Sequence, residues 1–188
     1  MTAAQELLQL LQEKAYRRGR FKLANGTESD RYVDCRKVTM DPFGSRRIVW
    51  FLYERMKELK ANTIGGPACG AIPIASAVVA TIADVDGFWV RDSAKGHGTG
   101  SWIEGCDVAG RRVLLVDDVA TSGKSLSWAA SAVSNANATI VGVTVIVDRQ
   151  EGAAELLKRE FGLDLHSLFT LADLDKKICP QCGCEVRP

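Results

Sequence analysis

The stretch RVLLVDDVATSGKS, residues 112–125, constrains the fold more than any other part of the chain. Val113, Leu114, Leu115 and Val116 do not alternate with polar residues, and the run is β-branched at both ends. It reads as a strand buried on both faces, the usual condition inside a parallel sheet. Asp117 and Asp118 then stand at its carboxyl end, where open α/β sheets bind ligands. Thr121, Ser122, Gly123, Lys124 and Ser125 follow as a short polar loop at the expected start of a helix. The outward N–H groups and positive dipole of such an N-terminus favour a phosphate. Gly123 lets the backbone come close to phosphate oxygens, and two acids at the rim suit hydroxyls or a magnesium ion. A phosphate beside a polyol describes a sugar phosphate. The spacing matches neither a nucleoside-triphosphate glycine loop nor a dinucleotide fingerprint. The competing reading is an ordinary strand end whose Asp and Thr cap a helix and bind nothing.

The rest of the chain supplies neighbours for this strand. Leu7, Leu8, Leu10 and Leu11 fall at helical spacing in residues 3–17, a helix expected to end near Gly19. FKLANGTESDRYVDCRKV carries an Asn-Gly turn between extended pieces and predicts an edge element partly separate from the main sheet. A second amphipathic helix covers 43–60, and a strand begins at Ile64. Glycine on both sides of Pro67 suggests a tight loop, followed by a helix over 72–83. Further strands are expected at 87–91 and 139–148, with helices at 124–135 and 151–161. Strands separated by helices of this length predict an α/β fold with a central, mostly parallel sheet flanked by helices.

Length and charge narrow the function classes. At 188 residues the chain is expected to form one domain, burying about 70% of its extended surface. A formal charge of +1 argues against a general nucleic-acid or anionic-membrane binder, so any phosphate site must be a focused one. No stretch approaches the roughly 18 apolar residues of a membrane span, and the N-terminus lacks a secretory pattern. A cytoplasmic protein is expected. Of six cysteines, Cys35, Cys69 and Cys106 are isolated, and reduced thiols are expected. Cys179 and Cys182 have the spacing of half a zinc site and Cys184 offers a third thiolate, but a closed site wants four ligands. A surface thiol pair is the simpler reading.

The Gly-rich span VRDSAKGHGTGSWIEG holds Arg91, Lys95 and His97 among Gly96, Gly98, Gly100 and Gly105. Three potential cations on so long a glycine-rich span favour a lid for an anionic ligand over a solvated connector. Trp102 within it is expected to dock on closure or to meet a partner subunit. Trp50, Phe51 and Tyr53 lie on the second helix, and at least part of this aromatic cluster is expected at the core or at a subunit interface.

Residues 112–125 resemble the phosphoribosyl-diphosphate motif of type I phosphoribosyltransferases. The Gly-rich span, FKLANG with YVDCR, GGPACGAIPIA and VDRQEGA together resemble orotate phosphoribosyltransferases, in the right order from Phe21 to about Leu174. The resemblance implies the type I phosphoribosyltransferase fold, with 1–40 contributing to a small hood, 92–106 a mobile catalytic loop and 176–188 a Cys-containing tail. It implies that Asp117 and Asp118 embrace the ribose hydroxyls and that residues 121–125 hold the 5-phosphate, with Val119 and Ala120 leading into that loop. Lys95 and His97 would act on the diphosphate and the reacting region, with Arg91 and Asp92 at the loop base. The GPACG turn, residues 66–70, which includes Pro67, Ala68, Cys69 and Gly70, would present backbone amides to the diphosphate. Arg149 would contact orotate, with Lys22, Leu23, Ala24 and Asn25 on the other side of the base, and Asp148 would orient rather than react. Magnesium as cofactor and a homodimer with shared active sites are implied as well.

The sequence departs from the family at Asp92, where many members have a basic residue, and at Ala24 and Asn25, where lysine and serine are frequent. Two other functions stay open at this point. One is transfer to a different nucleobase, against which Arg149 and residues 22–25 speak. The other is a regulator that binds the diphosphate donor as an effector, against which Lys95 and His97 speak.

Overall fold

The computed structural model describes residues 1–22, 26, 28–92 and 102–176. A six-stranded sheet organises the molecule: β3 (Thr63–Pro67), β4 (Asp86–Val90), β5 (Ile103–Gly105), β6 (Arg112–Ala120), β7 (Thr139–Asp148) and β8 (Leu165–Thr170). Their order across the sheet is β5-β4-β3-β6-β7-β8. All neighbours are parallel except β4 and β5, which are antiparallel. Between β3 and β6 the chain changes direction of travel: β4 follows on one side, β7 and β8 on the other. This is a topological switch point, where side-by-side strand ends leave a crevice.

The apolar run of β6 explains why it lies here. Leu114 and Val116 pack in the core shared with α3 (Pro42–Leu59) and α4 (Ala71–Thr81). Val113 and Leu115 pack on the opposite face against α5 (Lys124–Asn135) and α6 (Ala153–Phe161). All four are at most 1% exposed, and each contributes roughly 1.5–3 kcal/mol by burial. A strand with apolar side chains on both faces has no stable place at a sheet edge.

The glycines of β3 answer a packing demand instead of forming the expected loop. A Cβ on Gly65 would lie 2.3 Å from the Phe88 carbonyl oxygen, and one on Gly66 would lie 1.9 Å from that of Val116. The strand therefore runs through both glycines to Pro67, which pairs with Val90. The turn falls at residues 68–70, and the Ala68–Cys69 peptide is cis.

The N-terminal helix is shorter than its periodicity predicts. After α1 (Ala3–Leu10) the chain widens into a π-helical turn, Leu11–Ala15, and Tyr16 already begins β1 (Tyr16–Lys22). Leu7, Leu8, Leu11 and Ala15 join the core beneath α3, so these residues belong with the body and not with a hood. Only β1 and β2 (Glu28–Val33) stand apart, as an antiparallel ribbon. The short α2 (Arg36–Thr39) leads into α3, where Asp41 caps Phe43 N–H at 3.0 Å and Gly44 N–H at 2.9 Å. A final helix, α7 (Leu171–Asp175), follows β8. Asp175 accepts from the Tyr16 hydroxyl and bridges Arg18 at 2.5 Å and Arg31 at 3.0 Å, tying the ribbon to the body.

Residues 103–105, expected within the loop, form a strand. Ile103–Gly105 pairs with Val90–Phe88 as the antiparallel edge strand β5. Trp102 packs edge-on against Trp128 of α5, ring centroids 4.7 Å apart, and the Trp128 indole N–H donates to the Arg91 carbonyl at 2.8 Å. The Arg91 N–H donates to the Trp102 carbonyl at 2.9 Å. On α3, Phe51 packs against the core while Trp50 and Tyr53 are exposed.

Candidate active site

At the switch point the carboxyl ends of the parallel strands enclose a cleft of about 550 Å³. Its lining combines Tyr32, Val33, Asp34 and Arg36 with Cys69, Gly70, Asp118, Val119, Thr121, Ser122, Arg149 and Glu151. β3 pairs with β6 as far as Gly65 and Leu115, whereas β6 continues to Ala120 on the β7 side. The free edge of Val116–Ala120 therefore faces the crevice.

Asp117 and Asp118 occupy that edge. Asp117 is 8% exposed and lies behind the cleft wall, while Asp118 lines it. The Asp118 N–H donates to Asp117 Oδ1 at 2.9 Å, and the Val119 N–H to Asp118 Oδ1 at 2.8 Å. Burial, reinforced by the neighbouring Asp118 charge, holds the Asp117 carboxyl well above the usual range. Burial is also the main cause that raises Asp118, partly opposed by the Val119 N–H and the Arg36 charge. The two acids meet Gly70 across the crevice. A Cβ there would lie 2.2 Å from Asp117 Oδ1 and 2.5 Å from Asp118 Oδ1. Gly70 has ordinary helical angles (φ −62°, ψ −41°), so space, not conformation, requires glycine.

On one flank, Thr121 and Ser122 precede Gly123, whose φ of +78° suits glycine. Lys124 and Ser125 open α5 with exposed side chains, and no side chain caps that helix end. On the other flank, the Arg149 N–H donates to the Ala120 carbonyl at 2.9 Å and extends the β6–β7 ladder by one residue. Asp148 accepts from the Gln150 N–H at 2.8 Å and turns the chain back. The Arg149 side chain is 5% exposed. Its Nε donates to Glu151 at 2.8 Å, Nη1 to the Arg31 carbonyl at 3.3 Å and Nη2 to Ser29 Oγ at 3.3 Å.

Not every residue expected at the site lines the cleft. Pro67 is buried at the end of β3, and Ala120 points into the core under α5. Ala68 is half-buried, its N–H donating to the Val90 carbonyl at 2.8 Å. Lys22 ends β1 exposed, and Arg91 at the end of β4 reaches Glu104 at 3.5 Å. Asp92 is exposed one residue further. Leu23, Ala24, Asn25, Lys95, His97, Cys179, Cys182 and Cys184 lie outside the described residues. Among the described residues, Cys35, Cys69 and Cys106 are free thiols, and no group of three or more His, Cys, Asp or Glu side chains could hold a metal ion.

The sequence reading missed Tyr32, Asp34, Arg36, Ser29 and Glu151. YVDCR had signalled the segment of three of them, and Glu151 stands two residues after Arg149. What it lacked was the fold of the ribbon over the sheet. Arg36 reaches Asp34 at 2.8 Å, and Cys35 beneath them is fully buried, its thiol pushed up first by burial and then by Asp118, Asp34 and Asp117.

A switch-point cleft with an adjacent acid pair, an open helix N-terminus and a glycine turn is the plan of a phosphoribosyltransferase. The family model described as the phosphoribosyl transferase domain matches residues 43–170. Within that class the chain belongs to the orotate phosphoribosyltransferases. It is 40% identical over 171 residues to the orotate phosphoribosyltransferase of Mycobacterium avium, covering 90% of this chain and 95% of the relative. The crystal structure of the Mycobacterium tuberculosis orotate phosphoribosyltransferase in complex with Fe(III) dicitrate superposes with a TM-score of 0.82 at 39% identity, covering 93% of this chain and 99% of that one. The complex of the M. tuberculosis enzyme with 5-phospho-alpha-D-ribosyl 1-diphosphate gives 0.78 at 35% identity, covering 92% and 99%.

Proposed function

We propose that the chain transfers the 5-phosphoribosyl group from 5-phospho-α-D-ribose 1-diphosphate to N1 of orotate, giving orotidine 5′-phosphate and diphosphate. The observation that carries this reading is the acid pair at the switch point, set between the α5 N-terminus and Arg149 in one cleft.

Thr121 to Ser125 hold the 5-phosphate with N–H groups, hydroxyls and the helix dipole. Asp118, backed by Asp117, accepts from the ribose hydroxyls, and Gly70 and its neighbours offer backbone N–H groups to the diphosphate. Arg149 meets the orotate carboxylate with a planar fork of donors. The ring nitrogen attacks C1 as the bond to diphosphate breaks, with inversion, so no covalent enzyme intermediate forms. The chain acts mainly by orientation and by stabilising charge on the leaving diphosphate, to which Lys95 and His97 contribute. Exclusion of water matters because an oxocarbenium-like ribose would otherwise be hydrolysed.

Magnesium fits this donor set. The cleft offers hard carboxylate oxygens whose burial and mutual repulsion a divalent cation relieves, and the donor's own oxygens complete the coordination. When bound it neutralises the diphosphate as it leaves. Asp118, backed by Asp117, is the residue that would hold it on the protein side, mainly through the ribose hydroxyls and donor oxygens. The functional unit is a homodimer in which the segment around Lys95 serves the neighbouring protomer's cleft.

The test mixes the protein with magnesium, the diphosphate donor and orotate and follows orotate absorbance, with uracil, adenine and hypoxanthine in parallel. Orotate alone is consumed, and Lys95→Ala lowers turnover by about a hundredfold or more without lowering the melting temperature. Consumption of another base with orotate untouched overturns the assignment of the acceptor; donor binding with every base inert favours a regulator.

A further inference from the structure

Among the described residues that line the cleft, two carry a positive charge, Arg36 and Arg149, against the three carboxylates of Asp34, Asp118 and Glu151. A diphosphate ester brings more negative charge into that space, and the reading above gives Arg149 to orotate. Arg36 is carried by chain that is fixed to the body. The Asp34 N–H donates to the Ala15 carbonyl at 3.0 Å, and the Cys35 carbonyl accepts from the Val38 and Thr39 N–H groups, each at 2.8 Å. Cys35, between Asp34 and Arg36, is fully buried. The Arg36 side chain thus starts from a set point, although it is 60% exposed. Its Nε donates to Asp34 Oδ1 at 2.8 Å. Both terminal nitrogens are without a partner among the described residues, so their four N–H groups include the parallel pair that two phosphate oxygens accept. Asp34 is the main cause that holds the guanidinium above its usual range, and the Asp118 charge adds to it. In return the Arg36 charge opposes the burial that raises Asp118. Arg36 therefore lies within Coulomb reach of Asp118, and a Cβ on Gly70 would stand 2.5 Å from Asp118 Oδ1. Guanidinium, carboxylate and glycine turn come together in one part of the cleft.

We infer that Arg36 is a donor-binding residue, positioned by Asp34 to grip the diphosphate group beside the Gly70 turn. The inference rests on the proposed transferase activity and adds to it a cation that the cleft itself supplies to the leaving group. Because Asp34 takes only the Nε–H, the ion pair stays intact when the terminal nitrogens meet a ligand. A side chain held in this way loses less rotamer freedom on binding than a free one. Charge on the diphosphate grows as its bond to the ribose breaks, so the contact strengthens toward the transition state.

The experiment measures kcat and KM for each substrate and the inhibition constant of inorganic diphosphate in wild type, Arg36→Ala, Arg36→Gln and Arg36→Lys, with melting temperature as a check on folding. Arg46→Ala, at an exposed position of α3, controls for the change in net charge. Arg36→Ala is expected to lower kcat/KM for the diphosphate donor by about ten- to a hundredfold and to raise the diphosphate inhibition constant by about tenfold, with KM for orotate within about twofold. Arg36→Gln matches it, and Arg36→Lys, which keeps the charge without the fork, recovers part of the loss. Arg46→Ala leaves every constant within about twofold, because solvent and salt screen a distant surface charge. Diphosphate inhibition unchanged in both Arg36→Ala and Arg36→Gln overturns the inference, as does a rise confined to KM for orotate. If the wild type does not turn over orotate, the proposed activity fails. The role of Arg36 is then judged by calorimetric binding of magnesium diphosphate to the same proteins: weaker binding in Arg36→Ala supports it, and equal binding, or none to the wild type, overturns it.

Discussion

Asp117 combines two demands that conflict. Its place on β6 puts it against Gly70 in the crevice, and the same place buries it beside Asp118, so its carboxyl resists ionisation in the folded state. A carboxyl raised on folding lends stability that is complete below its unfolded pKa of about 3.9 and is lost as pH rises through the folded value. Asp117→Asn is therefore expected to melt above the wild type at pH 7.5, with the advantage shrinking as pH falls toward 4, while turnover drops by at least about tenfold. Melting curves of both proteins across that range check the sign. Gly70 illustrates the complementary case: its backbone angles admit any residue, and only the two carboxylates above it exclude a side chain. Gly65 and Gly66 are steric in the same way, which is why an expected loop became a central strand.

Among the elements, the ribbon β1–β2 departs most from what local pattern suggests. Many of its residues are exposed, and it reaches the body through Tyr16 and Val33 at its base and through polar contacts with Asp175 and Arg149. Burial pushes the Asp175 carboxyl up, but hydrogen bonds from Tyr16 and Arg18 and the charges of Arg31 and Arg18 outweigh it and leave it below the usual range. A carboxyl depressed on folding lends stability that is present above its unfolded pKa and lost as pH falls through the folded one. Asp175→Asn should thus lower the melting temperature at neutral pH, and the gap to wild type should close as pH drops below about 3.9. A gap that persists unchanged into acid would assign the contact to hydrogen bonding alone. Within the span 92–106, Trp102 packs on α5 and β5 pairs with β4, although the composition there is that of a loop.

At the scale of the whole molecule, the proposed homodimer with shared sites makes a quantitative expectation. Lys95→Ala and Asp118→Asn preparations, each nearly inactive, are mixed and allowed to exchange subunits. Half the dimers are then hybrids with one intact site, so activity recovers to about a quarter of wild type. Recovery no greater than the mean of the two variants would mean each protomer completes its own site. Among the described residues no helix is long and apolar enough to cross a membrane. The sequence alone determined the α/β class, the helices at 43–60 and 124–135, the strand at 139–148 and the acid pair at a strand end, because periodicity, apolar runs and turn residues act locally. Local chemistry pointed to Asp118, Thr121 and Ser122, and the family resemblance added Cys69, Gly70, Val119 and Arg149; all of them line one cleft. It was silent on β8 and α7, whose short segments carry weak pattern, and it overextended the first helix through a region where the ribbon takes over the chain. Only the tertiary structure decided that Tyr32, Asp34, Arg36 and Glu151 line the same space and that Ser29 meets Arg149 beside it. Such contacts join Ser29 to Arg149 across more than a hundred residues, and no local spacing encodes them; strand order and the seating of the ribbon do.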